Sequence, residues 1–125
     1  MFTGIVTDIG EIVGLTPTAQ GQLHRLRIAC RYDRATIARR DDLPDMARFE
    51  LRTTRELARF IATKGSVTLD GVSLTVNTVD DVTFSVLIIP HTLNVTTLGG
   101  WRAGSEVNLE VDLMARYAAR LSEMK

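Results

Sequence analysis

The chain has 125 residues, of which 45% are hydrophobic, and this is enough to build one domain around a packed core. Its 15 Lys and Arg residues balance its 15 Asp and Glu residues, so the charge does not favour nucleic acid as a partner. The single cysteine, Cys30, excludes an intramolecular disulfide and a cysteine-based metal cluster. Because no apolar run approaches the roughly 20 residues of a membrane-spanning helix, we expect no membrane association.

The first half of the chain reads mainly as strands. The start, MFTGIVTDIGE, lacks a basic region and carries Asp8 and Glu11, so we expect no signal peptide and a cytoplasmic protein. Residues 2–15 predict a long strand with Gly10 as a candidate bulge, and residues 22–30 predict a second strand. The next predictions are a short helix over 32–40, a loop over 41–45, a strand over 47–53 and a helix over 54–63, capped by Thr54.

The stretch GSVTLDGVSLTVNTV, residues 65–79, alternates between apolar residues and small polar ones. An Asp-Gly pair between two such runs is a strong hairpin signal, because a type I′ turn needs positive φ at both central residues. The turn at Asp70–Gly71 would pair Leu69 with Val72 and Thr68 with Ser73. All apolar side chains would then share one face and all hydroxyls the other. Such a hydroxyl face is either solvated or a ligand surface.

The remaining segments complete an all-β pattern. Residues 82–89 predict a buried strand that stops at Pro90, and residues 92–101 predict a short helical or irregular connection. Residues 106–111 alternate again as a strand. Residues 112–124 predict an amphipathic helix whose apolar stripe contains Leu113, Met114, Tyr117, Ala118 and Leu121. Short strands with tight turns favour an antiparallel barrel or sandwich.

Two neighbouring segments, 23–40 and 46–64, resemble each other. Both predict a strand, a short turn and a short helix that ends near a basic residue. A tandem array would repeat the whole domain, whereas here every other element occurs once. The similarity is therefore either chance between two amphipathic units or a trace of two related halves.

Three motifs, MFTGIV at the start, LDGVSLTV at 69–76 and IIPHTLNVTTLG at 88–99, together resemble the alpha chain of riboflavin synthase. A fourth segment, EVNLEVDLMARY at 106–117, fits the same family. The resemblance implies Greek-key barrels that each bind one 6,7-dimethyl-8-ribityllumazine, two barrels to a chain. It implies transfer of a four-carbon unit between two lumazines, giving riboflavin and a pyrimidinedione without cofactor or metal. The family's reaction occurs between barrels of neighbouring subunits.

The chain departs from this pattern in length. By resemblance, residues 1–40 match the start of the first barrel, 41–111 match the second barrel, and 112–125 form the C-terminal helix. This predicts an internal deletion, natural or engineered, joined near Arg39–Arg40. We therefore expect all 125 residues to form one all-β domain. Its predicted fold is a single six-stranded Greek-key antiparallel β-barrel with short helices and a C-terminal amphipathic helix, in which the MFTGIV strand replaces the missing first strand.

The resemblance also implies site residues. Ser73, Thr75 and Asp112 are the candidate catalytic residues, with Asp112 moving protons or polarising a hydroxyl. The candidate substrate-binding residues are Gly4, Ile5, Val6, Lys64, Asp70, Ser73, Leu74, Thr75, Ile89, Pro90, His91, Thr92, Leu93 and Asn94. Simpler explanations exist for three of them: a surface lysine at Lys64, a turn residue at Asp70 and a helix N-cap at Asp112. No chemistry is assigned to His91, and Cys30 is not the family's first-barrel cysteine.

Three functions compete at this point. The first is a shortened riboflavin synthase with its site between subunits of a homo-oligomer, a trimer as in the family or a dimer. The second is a non-catalytic module that binds lumazine, riboflavin or FMN. The third is an inactive deletion product. The partner expected in the first two cases is a small molecule, 6,7-dimethyl-8-ribityllumazine or riboflavin.

Overall fold

The computed structural model describes residues 10–18, 24–29 and 33–124, and the chain divides into two compact units, Met1–Tyr32 and Asp33–Lys125. In the first unit, strand β1 (Glu11–Pro17) pairs antiparallel with β2 (His24–Ala29). This confirms the described parts of the first two predicted strands. The irregularity in β1 falls between Ile12 and Gly14, not at Gly10. The MFTGIV segment lies outside the described residues.

Six strands of the second unit close into an antiparallel barrel. The order around the barrel is β3-β4-β7-β6-β5-β8, with β8 pairing back to β3. Strands β5, β6 and β7 are consecutive neighbours, and β8 returns beside β5, which is a Greek key. The strands are β3 (Arg34–Leu43), β4 (Met46–Arg52), β5 (Ser66–Leu69), β6 (Val72–Asp80), β7 (Thr83–Ile88) and β8 (Glu106–Val111). The predicted fold class is confirmed.

Short helices connect these strands. Helix α1 (Arg55–Ala58) begins after Thr54, whose side chain accepts from the Leu57 N–H, so the predicted cap is confirmed although the helix is shorter than predicted. Helix α2 (Pro90–Val95) and a 3₁₀ turn (Thr97–Gly100) join β7 to β8. Helix α3 (Leu113–Glu123) follows β8. No helix within the described ranges is long and apolar enough to span a bilayer.

The predicted helix over 32–40 is wrong, and the predicted loop over 41–45 is a strand as far as Leu43. Ala35 and Ile37 alternate into the core, and β3 hydrogen-bonds to β4 on one side and to β8 on the other. Ala and Arg favour helices locally, but two ladders of hydrogen bonds and the burial of these side chains outweigh that preference.

This correction changes the interpretation of the N-terminal third. Because β3 is a strand, segments 23–40 and 46–64 are not two strand–helix units. The barrel has its own first strand in β3 and needs no substitute from MFTGIV. The predicted junction near Arg39–Arg40 lies inside this continuous strand, whereas the two compact units divide at Tyr32 and Asp33.

The interior of the barrel is filled by its own side chains. Phe49 meets Trp101 edge to face, with ring centroids 5.3 Å apart and an interplanar angle of 86°. Residues from all six strands, together with Ile61, Leu98 and Trp101, form one buried cluster. A closed barrel of this size holds side chains rather than an aqueous channel.

Helix α3 contacts the rest of its unit through a side that carries half-buried Ala115 and Ala119 and two charged residues. Arg59 forms an ion pair with Glu123, and the Arg116 guanidinium lies over the ring of Phe60, 5.0 Å from its centroid. The predicted apolar stripe points away from these contacts. Its large members Leu113, Met114, Tyr117 and Leu121 are 58–69% exposed.

The burial pattern predicts that a leucine-to-alanine substitution lowers the free energy of unfolding more at a buried position than at an exposed one. Leu69→Ala removes a fully buried side chain and should lower the free energy of unfolding by about 2–5 kcal/mol. Leu43→Ala, at a side chain that is 46% exposed, should change it by less than about 1 kcal/mol. Urea denaturation followed by circular dichroism measures both. Equal losses would contradict the assigned core.

Candidate functional site

The hairpin β5–β6 has the register that its sequence predicts. Asp70 and Gly71 have φ values of 48° and 81°, as a type I′ turn requires. Leu69 pairs with Val72 and Thr68 with Ser73, so the prediction is confirmed. The next two pairs are Val67 with Leu74 and Ser66 with Thr75.

The hydroxyls of this hairpin lie on the outside of the barrel. Val67 and Leu69 are buried, whereas Ser66, Ser73 and Thr75 are exposed. Side chains on a strand alternate between its two faces, so the hydroxyls cannot share the core with their apolar neighbours. The predicted separation of faces is therefore confirmed for the hairpin.

Strand β8 adds two carboxylates to the same outward surface. It pairs with β5 through Val111 opposite Val67 and Glu110 opposite Thr68. Since Val111 points inward, Glu110 and Asp112 on either side of it point outward. We call this surface the hydroxyl face; it consists of Ser66, Thr68, Ser73, Thr75, Glu110 and Asp112.

The three candidate catalytic residues thus share one surface. Ser73 and Thr75 are two residues apart on β6, which separates their side chains by roughly 7 Å along the strand. Asp112 lies at the Ser66–Thr75 end, and Glu110 lies at the Thr68–Ser73 end. Glu110 was not among the predicted site residues, although the alternation in EVNLEVD would have placed it outward beside Asp112.

Exposed aliphatic side chains border the hydroxyl face. Strand β7 runs antiparallel to β6 and pairs Val86 with Val76, so its last residues lie beside the start of β6. Leu87 is 41% exposed and Ile89 is 57% exposed. The surface therefore combines hydrogen-bonding groups with an apolar margin, a combination suited to the edge and the face of a flat heteroaromatic ring.

Asp112 is the N-cap of α3, which is the simpler of the two roles that the sequence predicts for it. Its Oδ1 accepts a hydrogen bond of 3.2 Å from the Met114 N–H, so it caps α3. The residue nevertheless remains exposed at the end of β8. The N-cap prediction is confirmed, and the catalytic role stays a prediction.

Lys64 lies at the Thr75 end of the hydroxyl face. Its backbone has φ of 70°, and its N–H donates to the Val76 carbonyl at 2.8 Å. The Val76 N–H donates in turn to the Gly65 carbonyl at 2.8 Å. These two hydrogen bonds fix the turn before β5 against β6. The exposed Lys64 side chain projects from this turn.

Asp70 is occupied by contacts within the protein. Its Oδ2 accepts from the Trp101 indole N–H at 3.0 Å, and its Oδ1 accepts from the Asn108 N–H at 2.8 Å. These bonds link the hairpin turn to the segment before β8 and to β8 itself. A structural role therefore accounts for this aspartate, and ligand contact stays a prediction.

The other predicted binding residues separate into inward and outward groups. Leu74 and Leu93 are half-buried and pack against the core. Thr92 is half-buried, and its carbonyl accepts from the Thr96 hydroxyl. The exposed group, at the start and outer side of α2, comprises Ile89, Pro90, His91 and Asn94. Gly4, Ile5 and Val6 lie outside the described residues.

Two clefts lie away from the predicted site residues. One of about 550 Å³ is lined by Arg55, Glu56, Arg59 and Phe60, and its Arg55 and Arg59 are paired with Asp81 and Glu123. The other, of about 200 Å³, borders Arg48 and Glu50 on β4. Within the described ranges, no group of histidine, cysteine or acidic side chains is arranged to hold a metal ion.

Comparison with known proteins identifies one family and its relatives. The family described as "Lumazine binding domain" matches residues 3–112. Riboflavin synthase of Brucella abortus (strain 2308) is 57% identical over 89 residues, covering 71% of this chain and 44% of that protein. Riboflavin synthase of Photobacterium phosphoreum is 46% identical over 71 residues, covering 57% of this chain and 33% of that protein. The chain thus spans less than half the length of these relatives.

Solved structures share the fold. LumP complexed with 6,7-dimethyl-8-(1′-D-ribityl) lumazine aligns with a TM-score of 0.60 and 22% identity, over 65% of this chain and 45% of that one. LumP complexed with flavin mononucleotide aligns with a TM-score of 0.63 and 19% identity, over 74% of this chain and 56% of that one. At this level of identity, the likeness concerns the fold alone.

The contacts of Asp70 predict a stability defect. Asp70→Ala leaves the indole N–H of buried Trp101 without its acceptor, and should lower the free energy of unfolding by about 1–3 kcal/mol. Chemical denaturation followed by Trp101 fluorescence measures this loss. Asp80→Ala, at an exposed position on β6, is the matched control and should have little effect. Similar effects of both changes would contradict the structural role of Asp70.

Proposed function

The chain belongs to the lumazine-binding domain family, and on that premise we propose that its barrel binds 6,7-dimethyl-8-ribityllumazine or riboflavin on the hydroxyl face. The observation that carries the proposal is the common outward position of Ser73, Thr75 and Asp112 on one sheet surface. We take the unit Asp33–Lys125 to correspond to the family's second barrel, and residues 1–32 to the opening of its first.

The chemistry of the ligand matches the composition of this surface. The lumazine ring is flat and carries carbonyls and ring nitrogens at its edge. Short hydroxyls such as those of Ser73 and Thr75 can donate to these atoms without filling the space that the ring needs. The exposed side chains of Leu87 and Ile89 supply apolar contact for the face of the ring.

The remaining candidates have secondary positions in this proposal. Lys64 can extend from its turn toward the ribityl hydroxyls, and the exposed side of α2 can close over the ring. Leu74 and Leu93 support the site from the core side. By the family resemblance, Gly4, Ile5 and Val6 stay candidate binding residues. No cofactor or metal takes part.

We further propose that the bound lumazine reacts, because the chain is 57% identical to a riboflavin synthase over 89 residues. In this dismutation one lumazine loses a four-carbon unit and becomes a pyrimidinedione, while the other gains the unit and becomes riboflavin. Asp112 would accept or return a proton at a ring methyl group, directly or through a hydroxyl. Ser73 and Thr75 would hold the rings at reacting distance.

The reaction needs two ligands, and this requirement favours a site between two copies of the chain. The described barrel has one hydroxyl face, and we propose that a second chain holds the second lumazine. A non-catalytic binding module is the alternative function. It is favoured by the fold shared with LumP, which was solved in complex with 6,7-dimethyl-8-(1′-D-ribityl) lumazine and with flavin mononucleotide. Cytoplasmic location stays a prediction for either function.

A titration separates binding from turnover. The intact chain is mixed with 6,7-dimethyl-8-ribityllumazine, and ligand fluorescence and riboflavin formation are recorded together. We expect saturable binding that Ser73→Ala weakens about tenfold, the equivalent of one hydrogen bond to the ring. Asp112→Asn keeps an N-cap residue and should reduce riboflavin formation more than binding. Ser122→Ala, at an exposed serine on α3, is the control.

The outcomes distinguish the three functions. Riboflavin formation that depends on Asp112 supports a riboflavin synthase, and saturable binding without riboflavin supports the binding module. Binding that Ser73→Ala leaves unchanged would remove the hydroxyl face from the site. A folded chain that shows neither ligand binding nor riboflavin formation supports the third function, an inactive deletion product.

The exposed stripe of α3 predicts association between copies of the chain. Leu121→Glu places a charge within the stripe and forfeits about 1.5–3 kcal/mol of apolar burial for each subunit. Sedimentation velocity should show a homo-oligomer, dimer or trimer, that this change shifts toward monomer. Ser122→Glu adds the same charge beside the stripe and should have a smaller effect. A monomeric wild-type chain at high concentration would contradict both association and intersubunit catalysis.

A further inference from the structure

The connection from β7 to β8 carries predicted ligand residues at one end and the single tryptophan of the chain at the other. We call residues 89–101 the closing segment. It begins with Ile89 beside the hydroxyl face, contains α2 and the 3₁₀ turn, and ends at Trp101 in the core. The position of its exposed beginning depends on how firmly its end is held.

Arg40 on β3 holds that end. Its Nη1 donates to two backbone carbonyls of the closing segment, those of Gly99 and Trp101, each at 2.8 Å. The Nε and Nη2 atoms of the same guanidinium donate to Asp42 Oδ1 at 3.1 and 3.0 Å. The Arg40 side chain is 26% exposed, so solvent competes only partly for these bonds.

Aromatic packing reinforces the same anchor. The Arg40 guanidinium carbon lies over the ring of Phe49, 5.3 Å from its centroid, and Phe49 meets Trp101 edge to face. Asp70 accepts from the indole N–H of Trp101. Trp101 is thus fixed by its carbonyl, its ring and its N–H at the same time.

The anchor is connected to the ligand side through short-range contacts. A Cβ at Gly99 would collide with the carbonyl oxygen of Leu93, so the 3₁₀ turn lies directly against α2. The Thr96 hydroxyl donates to the Thr92 carbonyl and accepts from the Leu98 N–H. Direct contacts therefore join the turn to α2, and Ile89 immediately precedes α2.

We propose that Arg40 is a positioning residue for the ligand site: by anchoring the closing segment, it sets where Ile89 and α2 stand beside the hydroxyl face. This inference rests on the proposed function. The contacts of Arg40 are made to the closing segment, to Asp42 and to Phe49, so we expect its influence on how long the ligand stays bound. A lysine cannot replace it, because one ammonium cannot bind both carbonyls and Asp42 with the planar fork of a guanidinium.

The test compares ligand dissociation in matched variants of the full chain. Dissociation of riboflavin and of the lumazine is followed by stopped-flow fluorescence, at a temperature where circular dichroism shows each variant to be folded. Arg40→Lys should release both ligands about tenfold faster, as expected for the loss of charge-assisted hydrogen bonds. Thr96→Val keeps Arg40 but removes the tie between turn and α2, and should act in the same direction.

Two controls separate positioning from stability. Arg39→Lys makes the same exchange at a side chain that is 68% exposed and paired with Asp41, and should leave dissociation unchanged. Val107→Ala should lower the melting temperature through the core without changing dissociation, because the buried Val107 side chain makes none of the hydrogen bonds between Arg40 and the closing segment. Arg40→Lys should also increase acrylamide quenching of Trp101, a readout that needs no ligand.

The results have distinct meanings. Normal dissociation in Arg40→Lys, in a wild-type chain that binds, overturns the proposal and leaves the proposed function intact. Equal acceleration in Arg40→Lys and Val107→Ala also overturns it, since lost stability alone would then explain the effect. A wild-type chain that binds neither ligand overturns the proposed function and this proposal together.

Discussion

The filled interior of the barrel is the constraint on which the rest of the structure depends. Phe49, Leu69 and Val86 are fully buried and leave the space between the strands to side chains. A ligand of this barrel would therefore bind outside the sheet, where strand alternation places the hydroxyls of Ser73 and Thr75. A shift of the hairpin by one residue would exchange the two faces, so core packing and site composition are fixed by the same register.

The local parts of this arrangement could be predicted from the sequence. The Asp70–Gly71 turn fixes the pairing of β5 with β6 without information from elsewhere in the chain, because its two positive φ values and the alternation agree. The same alternation identified β8, and Asp112 marked the start of α3. The sequence pattern alone is therefore enough to assign Ser73 and Thr75 to the hydroxyl face.

Contacts between residues far apart in the sequence could not be predicted, because no local pattern reveals the partner. Residues Arg34–Leu43 are a strand because β4 and β8 pair with them, and neither partner is visible in the local pattern RATIARRDDL. Asp70 finds its partners Trp101 and Asn108 more than thirty positions away. The Asp-Gly turn already accounts for an aspartate at position 70. Nothing in the sequence therefore pointed to a second role for Asp70 as a link across the barrel. Arg40 lies within a basic run of the sequence, and its contacts with the closing segment could not be predicted for the same reason.

The geometry also suits the proposed association of two barrels in a two-ligand reaction. The hydroxyl face ends at Asp112, and the same residue begins α3. A contact between copies through the exposed stripe of α3 would therefore lie next to this end of the hydroxyl face. A cap hydrogen bond to the N–H of Met114 ties the Asp112 carboxylate to the first turn of this helix. Assembly and chemistry would then depend on the same junction between strand and helix.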